Sequence, residues 1–448
     1  MTTYWCARAV VGAPQEEQIA TGVLVEANDS AITSLSTGAK PPPGATRLEG
    51  LTIPGLANVH SHAFHRALRA TTERAGGDFW SWRDEMYKIA DRVEPDAFRH
   101  LCAALFTEML TSGITTVGEF HYLHRAPGGR SYDNENAMGE AIIDAAAATG
   151  IRLTLIDSCY LHGGIGEELA DAQLRFGDGS VDAWAGRVSR LQPSENVKIG
   201  IAVHSVRSLV PDEIAAVAEF AVERGDVLHF HLSEQLRENE QCQAAYGVSP
   251  TALLSERGCL GPRSVAVHAT HCSEKDVALL GASASAACLC PTTERELGDG
   301  VGPGQALRAA GSELCVGSDS NAVVDLFEEA RAIELDERMV TMKRGIHDPS
   351  SLLSAATANG ARALGWPEVG RIEVGAQCDL VAISLDSARL AGLGKQDLVP
   401  GVVFSCSPAD VTDVVVGGRH LVERGIHRVV GDVAPALSAA IAAVREPR

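Results

Sequence analysis

The chain has 448 residues, 45% of them hydrophobic and 21% charged, which is enough to build a large buried core. Its 38 Lys and Arg stand against 58 Asp and Glu, a net charge of −20. That excess repels phosphate backbones and anionic membrane surfaces, so neither nucleic acid nor membrane is an expected partner.

The first ten residues carry no cationic stretch followed by an apolar run, so no secretory signal is expected. No run approaches ~18 apolar residues, so no membrane span is expected either. The 11 cysteines are odd in number and contain no CxxC pair. They read as reduced, mostly buried thiols of a cytoplasmic protein.

In chain order, residues 1–50 hold short alternating apolar segments at 19–25 and 31–35, separated by Gly, Asn and Pro. They predict small antiparallel strands. Compact apolar runs follow at 52–59, 114–120, 151–157, 197–203, 226–231, 263–268, 284–290 and 313–318. Helical periodicity falls between them. In 96–112, Phe98, Leu101, Cys102, Leu105, Phe106 and Met109 make one apolar face. In 211–224, Ile214, Val217, Ala218 and Ala221 do the same. Residues 370–430 return to strand-like segments at 379–384 and 411–416. The expected fold is α/β: a (β/α)8 TIM-type barrel over 56–367, with a small β-sandwich domain formed from both chain ends, 1–55 and 368–448. The second of those ends closes on a helix. A doubly wound open sheet is the rival. It is weakened because no GxGxxG follows the first strand and no Walker loop is present.

The polar residues at the strand ends carry more information. His60 and His62 follow the first barrel strand, Glu119 and His121 the second, and Asp157 the third. His204, His231, His268 and Asp319 close the fourth, fifth, sixth and eighth. A barrel puts all those ends on the face where active sites are built. Strand ends are polar anyway, but Ser, Asn or Lys would serve that purpose equally. Imidazoles and carboxylates at so many ends are the residue types of metal chemistry.

His60-Ser-His62 places two imidazoles on one side of a strand. A second such pair, His229-Phe-His231, shows that the pattern alone is weak. Within it His231, nearer the strand end, is the expected ligand, and His229 is a packed core histidine. His60, His62, His231 and Asp319 form a set of three nitrogens and one oxygen for one divalent metal. Zn2+ suits that set, and Fe2+ is compatible with the same ligand types. A cation there makes a bound water acidic near neutral pH. Asp319 is placed to accept its proton, Glu234 to carry a proton to a substrate nitrogen, and His268 to polarise the water or steady developing charge.

With Val316-Gly-Ser-Asp319, these residues resemble the amidohydrolase superfamily in its mononuclear deaminase branch. The resemblance implies the barrel and the β-rich second domain, and Gly375-Ala-Gln-Cys-Asp379-Leu-Val resembles the family's return to that domain. The fourth strand carries no lysine after its start, so a carboxylated lysine bridging two metals is not expected. Within the branch, the chain is similar to the formimidoylglutamate deiminases over most of its length. The motifs are Asn58-Val-His-Ser-His-Ala-Phe64, Asp78-Phe-Trp-Ser-Trp-Arg-Asp-Glu-Met-Tyr87, Gly118-Glu-Phe-His-Tyr122, Val203-His-Ser-Val-Arg207, and Cys290-Pro-Thr-Thr-Glu294 with Leu297-Gly-Asp-Gly300. The reaction so implied hydrolyses N-formimino-L-glutamate to N-formyl-L-glutamate and ammonia.

Such a substrate is a small dianionic amidine, and its carboxylates need fixed cations. Arg83, expected in a loop beyond the first strand, and Arg207, three residues past His204, are candidate bidentate clamps. Tyr122 and His204 are candidate hydrogen-bond partners. The family often has Gln after His-Ala-Phe where this chain has His65, which still donates a hydrogen bond but opens the way to an altered formimino amino acid. Trp80 and Trp82 read as loop-packing aromatics. The stretch 164–182 fits a surface loop or part of a lid equally. The family resemblance implies a homodimer. The rival readings are a deaminase of a guanine-type heterocycle, an imidazolonepropionase-like ring hydrolase, and a catalytically silent scaffold. A flat heterocycle has no need of two arginines, the ring hydrolase should lack the Phe79-Trp-Ser-Trp-Arg83 segment, and a scaffold predicts gaps in the metal set.

Overall fold

The computed structural model describes residues 1–13, 17–71 and 79–445, apart from the side chains of 79 and 80. Among these residues, seventeen strands form two sheets. The N-terminal end supplies β1 (Thr2–Val11), β2 (Gln18–Asn28), β3 (Ala31–Ser36), β4 (Thr46–Leu48) and β5 (Leu51–Pro54). The barrel strands are β6 (Leu56–Ser61), β7 (Ile114–His121), β8 (Arg152–Cys159), β9 (Val197–Val203), β10 (Leu228–Leu232), β11 (Ser264–His268), β12 (Ala286–Leu289) and β13 (Leu314–Val316). The C-terminal end adds β14 (Leu380–Ile383), β15 (Val411–Val416), β16 (Arg419–Glu423) and β17 (Ile426–His427).

From β6 to β13 every strand pairs in parallel with the next, in sequence order. A parallel bridge between Ser61 and Asp319 joins the first strand to the end of the last. The chain is a (β/α)8 barrel. Its early strands β6, β7 and β8 are buried along their whole length, as a barrel wall covered by helices on one side and filled by side chains on the other must be. The two chain ends make one mixed sheet in the order β17-β16-β15-β14-β5-β1-β2-β3, with β4 beside β1. Its junction is the antiparallel pairing of β5 with β14. That sheet has its own core, which includes Tyr4, Cys6, Val23, Leu48, Cys378 and Leu380.

The expected strand 52–59 is in fact two strands in different sheets. The break falls at Gly55, where a Cβ would lie 2.2 Å from Thr115 Oγ1. Its N–H donates to the Asp379 carbonyl at 3.1 Å. A continuous apolar run does not reveal such a crossing, because both strands are buried on both faces. The helices follow their periodicity more closely. Pro95–Thr111 starts on Pro, which needs no N–H partner there, and buries Phe98, Leu101, Leu105, Phe106 and Met109. Pro211–Arg224 buries Ile214, Val217, Ala218 and Ala221 and ends on Gly225 in the left-handed region. A last helix, Val433–Arg445, buries Leu437, Ala440 and Val444 and packs on Pro95–Thr111.

A buried ion pair staples the two units together. Arg152 on β8 holds Asp379, which precedes β14, through two hydrogen bonds, one of them 3.2 Å from Nη2 to Oδ1. Asp379 Oδ1 also accepts the Gly417 N–H at 2.8 Å. Removing one partner leaves a charge buried with no counter-charge, which costs about 3–5 kcal/mol. Asp379→Ala should therefore lower the thermal unfolding midpoint well below that of wild type. An unchanged midpoint would remove the staple from the account.

Candidate active site

Three imidazoles and a carboxylate converge at the C-terminal ends of the barrel strands. His60 on β6 and His62 just beyond it bring their Nε2 atoms to 3.1 Å. His231 on β10 places its Nε2 at 3.1 Å from that of His60 and 3.3 Å from that of His62. Asp319 Oδ1 lies 3.4 Å from both His60 Nε2 and His62 Nε2. All four residues are buried.

The donor chemistry of this cluster fits a divalent metal. His62 Nδ1 donates to the Phe120 carbonyl and His231 Nδ1 to the His204 carbonyl, each at 2.9 Å. A carbonyl only accepts, so the proton of each ring sits on Nδ1 and the Nε2 lone pair faces the cluster. Lone pairs this close repel unless a cation lies among them. Two nitrogens at ~2.0–2.1 Å on a tetrahedral ion stand roughly 3.3 Å apart, close to the spacing found. Burial lowers all three imidazoles, His60 to about 3, so they are neutral as ligands must be. Burial alone would raise Asp319, but its contact with His60 and the positive charge of His268 hold it well below the usual carboxylate range.

Local backbone geometry sets the cluster. At Gly317 an added Cβ would meet His60 Cβ at 2.7 Å, so β13 can approach β6 only without a side chain there. Asp319 N–H donates to the His60 carbonyl and His62 N–H to the Asp319 carbonyl, both at 2.9 Å. Asn58 and Ser318 exchange hydrogen bonds of 2.7 and 2.9 Å, and Ser318 Oγ donates to Asn321 at 2.7 Å. Asp319 (φ 42°), His268 (φ 70°) and Ser233 (φ 49°), which precedes Glu234, all lie in the left-handed region. Non-glycine residues are strained there by about 1–3 kcal/mol each, and only a surrounding network holds them.

Beside the cluster stand two proton-handling groups. His268 Nε2 lies 3.8 Å from Glu234 Oε1 and 3.9 Å from Asp319 Oδ2. Burial raises Glu234 toward its protonated form, while His268 and Arg207 pull it back. Burial would lower His268, but Glu234, Glu294 and Asp319 lift it to about 10. Above them opens a cleft. Arg207 reaches it with Nη2 at 3.5 Å from Glu234 and Nε at 3.1 Å from Glu238. Arg83 lies over the Tyr87 ring at 5.6 Å. Tyr122 shares a 2.9 Å hydrogen bond with His65, and the His204 ring meets Tyr160 edge-on at 4.5 Å.

The structure thus brings together His60, His62, His231 and Asp319 as a donor cluster, with Glu234 and His268 at its edge. His65, Arg83, Tyr122, His204 and Arg207 line the same cleft. Three strand-end residues read as metal chemistry lie elsewhere. Glu119 accepts the Ala63 N–H at 2.5 Å. His121 packs against His124, and Asp157 accepts from Arg187 and Trp184 at 2.7 and 2.9 Å. The Asp157 charge is already paired with the Arg187 guanidinium. His229 is a core residue on the Ala363 carbonyl at 3.2 Å.

Two further expectations need correcting. Arg83 lies in a helix, Phe79–Ala90, not a loop. Trp82 lines the cleft, edge-on to His65 at 5.0 Å, rather than merely packing a loop. Asp78 and the side chains of Phe79 and Trp80 lie outside the described residues. Residues 164–182 supply a cleft wall through Phe176, and Gln173 donates to Tyr160 at 2.9 Å. Met86, Tyr87, Tyr160 and Phe176 were not anticipated as lining residues. Met86 and Tyr87 sit three and four positions after Arg83, so reading that segment as a helix would have found them.

A profile of the amidohydrolase family matches residues 51–421. The chain belongs to the amidohydrolase family. It is 38% identical to the formimidoylglutamate deiminase of Pseudomonas aeruginosa, over 86% of this chain and 87% of that one. It is 28% identical to the 8-oxoguanine deaminase of the same organism, over 91% and 90%. The crystal structure of an amidohydrolase from Brucella melitensis superimposes with a TM-score of 0.91 at 30% identity, covering 100% of both chains. As a family member this amidohydrolase is a hydrolase of carbon–nitrogen bonds, and the family is metal-dependent.

The purified protein should carry one divalent ion per chain. His231→Ala removes a ligand and should cut metal content at least about tenfold, by elemental analysis, while the far-UV spectrum stays that of the wild type. Full metal occupancy in that variant would take His231 out of the cluster.

Proposed function

We propose that this amidohydrolase hydrolyses N-formimino-L-glutamate to N-formyl-L-glutamate and ammonia. The observation that carries the reading is that Arg83 and Arg207 line the same cleft as Glu234, His268 and Asp319. A dicarboxylate needs two such cations, and a flat aminated heterocycle needs neither. The 38% identity to a formimidoylglutamate deiminase supports the same substrate.

His60, His62, His231 and Asp319 would hold the metal, and we assign Zn2+ to that set of three nitrogens and one oxygen. When bound, the ion supplies Lewis acidity that brings the pKa of a water toward neutrality. The residues of the chain do the rest. Arg83 and Arg207 take the two carboxylates and aim the formimino carbon at the cluster. Tyr122, His65 and His204 give the substrate backbone its hydrogen bonds. Asp319 accepts the proton of the attacking water, and the new C–O bond makes a tetrahedral carbon. Charge developing there is steadied by His268. Glu234, whose burial favours its protonated form, delivers a proton to the terminal nitrogen. Glu234, now a carboxylate, takes the hydroxyl proton of the tetrahedral carbon and passes it to the same nitrogen. The C–N bond breaks as the C=O forms, ammonia leaves, and the formyl group remains on the glutamate nitrogen. The proton held by Asp319 returns to Glu234.

The net charge of −20 opposes a dianion, so capture is local to the cleft. Moderate salt should leave kcat/KM level or raise it, because it screens a repulsion. Ammonia release assayed on formiminoglutamate and 8-oxoguanine, with ring opening of imidazolonepropionate followed by loss of its ultraviolet absorbance, decides among the readings, and turnover of either heterocycle in preference to formiminoglutamate would refute this one. Glu234→Ala and Asp319→Ala should abolish turnover in folded protein. Arg207→Met should chiefly raise KM, and an unchanged KM would take Arg207 out of substrate binding.

A further inference from the structure

The segment after β12, Cys290-Pro-Thr-Thr-Glu294 with Leu297-Gly-Asp-Gly300, is among the motifs the reaction leaves unused. Its side chains touch His268 itself and the residues that directly follow Asp319 and Glu234. Glu294, buried, sets Oε1 at 3.3 Å from His268 Nδ1 and accepts the Cys290 N–H with the same atom at 2.9 Å. Thr293 Oγ1 accepts the Ser320 N–H at 3.2 Å and lies 3.1 Å from Ser320 Oγ, directly after Asp319. Asp299, also buried, accepts from the side chain of Gln235, directly after Glu234. The segment is itself anchored, because Thr292 donates its N–H to Glu329 at 3.0 Å on the helix Leu326–Thr341.

We infer that residues 290–299 form one positioning frame for Glu234, His268 and Asp319, with Glu294 as the positioning residue of His268. The inference deepens the functional reading above and rests on it. The physical case is the strained backbone. His268 and Ala269 both lie at positive φ, at 70° and 51°, so the strand end alone does not fix the ring. A carboxylate accepting from Nδ1–H turns the opposite nitrogen, Nε2, toward Glu234 and Asp319. Without that acceptor no hydrogen bond fixes which way the ring faces, and only packing such as its stack on His231 at 5.6 Å is left to hold the two contacts at 3.8 and 3.9 Å.

The test compares Glu294→Ala with Glu294→Gln in the metal-loaded full chain. The amide oxygen of Gln still accepts from Nδ1–H, whereas Ala cannot. In E294A, kcat should fall about 10–100-fold with KM within about threefold of wild type. E294Q should recover kcat to within about fivefold of wild type, with metal content unchanged in both. Wild-type kcat in E294A overturns the inference, as does an equal kcat loss in both variants. A crystal structure of E294A gives a readout independent of turnover. A rotated or doubled His268 ring is expected, and a ring fixed in its present orientation overturns the inference. If E294A does not fold, Glu294→Asp serves in its place in both arms, because the shorter side chain withdraws from His268. If the wild type itself releases no ammonia from formiminoglutamate, the functional reading falls, and the His268 orientation in the variant still decides the positioning role.

Discussion

The contact between the first and last barrel strands is the constraint on which the rest of the site depends. There the backbones of His60, His62 and Asp319 exchange hydrogen bonds of 2.9 Å across a chain separation of more than 250 residues. Closure brings the paired imidazoles of one strand against the carboxylate of another. It requires Gly317, because any side chain there would collide with His60. It also requires Asn58, Ser318 and Asn321, whose buried amides and hydroxyl satisfy one another and hold Asp319 in a conformation that its own preferences disfavour. His231 then needs only to arrive from β10 at the same depth.

Around that seam the molecule manages buried charge in two ways. Away from the cleft, charges are cancelled in closed pairs. Arg152 with Asp379 joins the barrel to the end sheet, and Arg187 with Asp157 and Asp178 braces the third strand and the segment that follows it. In the cleft the carboxylates are shared and incompletely cancelled. Glu234 lies between His268 and Arg207, and Arg207 between Glu234 and Glu238. Incomplete cancellation in a dry site is what lets a carboxyl group carry a proton near neutral pH. It also leaves Arg83 and Arg207 on the cleft wall of a chain whose net charge is −20.

The cleft is also more aromatic than its chemistry requires. Trp82, Tyr87, Tyr122, Tyr160 and Phe176 surround the space over the metal cluster. They wall the cleft with rings, and the tyrosines among them bring hydroxyl groups to it. His65 belongs with them, since it couples to Tyr122 by a hydrogen bond and to Trp82 by an edge-on ring contact. A histidine at that position therefore adds a rigid ring to the cleft wall.

How far the sequence reaches is best seen residue by residue. The eight apolar runs, the imidazole pair at His60 and His62, and the carboxylate after β13 were legible because strand periodicity and ligand chemistry are local properties. So were both arginines, through the motifs that hold them. The crossing at Gly55 was not legible, because an apolar run looks the same whether its two halves belong to one sheet or two. Glu119, His121 and Asp157 are residue types of metal chemistry at strand ends, and only three-dimensional packing showed that Asp157 is taken up by Arg187 and Trp184 and that Glu119 accepts the Ala63 amide. Trp82, Tyr160 and Phe176 come from separate segments whose meeting depends on how the loops fold over the barrel. The sequence by itself determined the fold class, the donor atoms and the chemistry they allow, since these follow from side-chain type and short-range pattern. Tertiary structure alone decided which donors share one point in space and which are consumed by a partner, because both depend on distances between residues far apart in the chain.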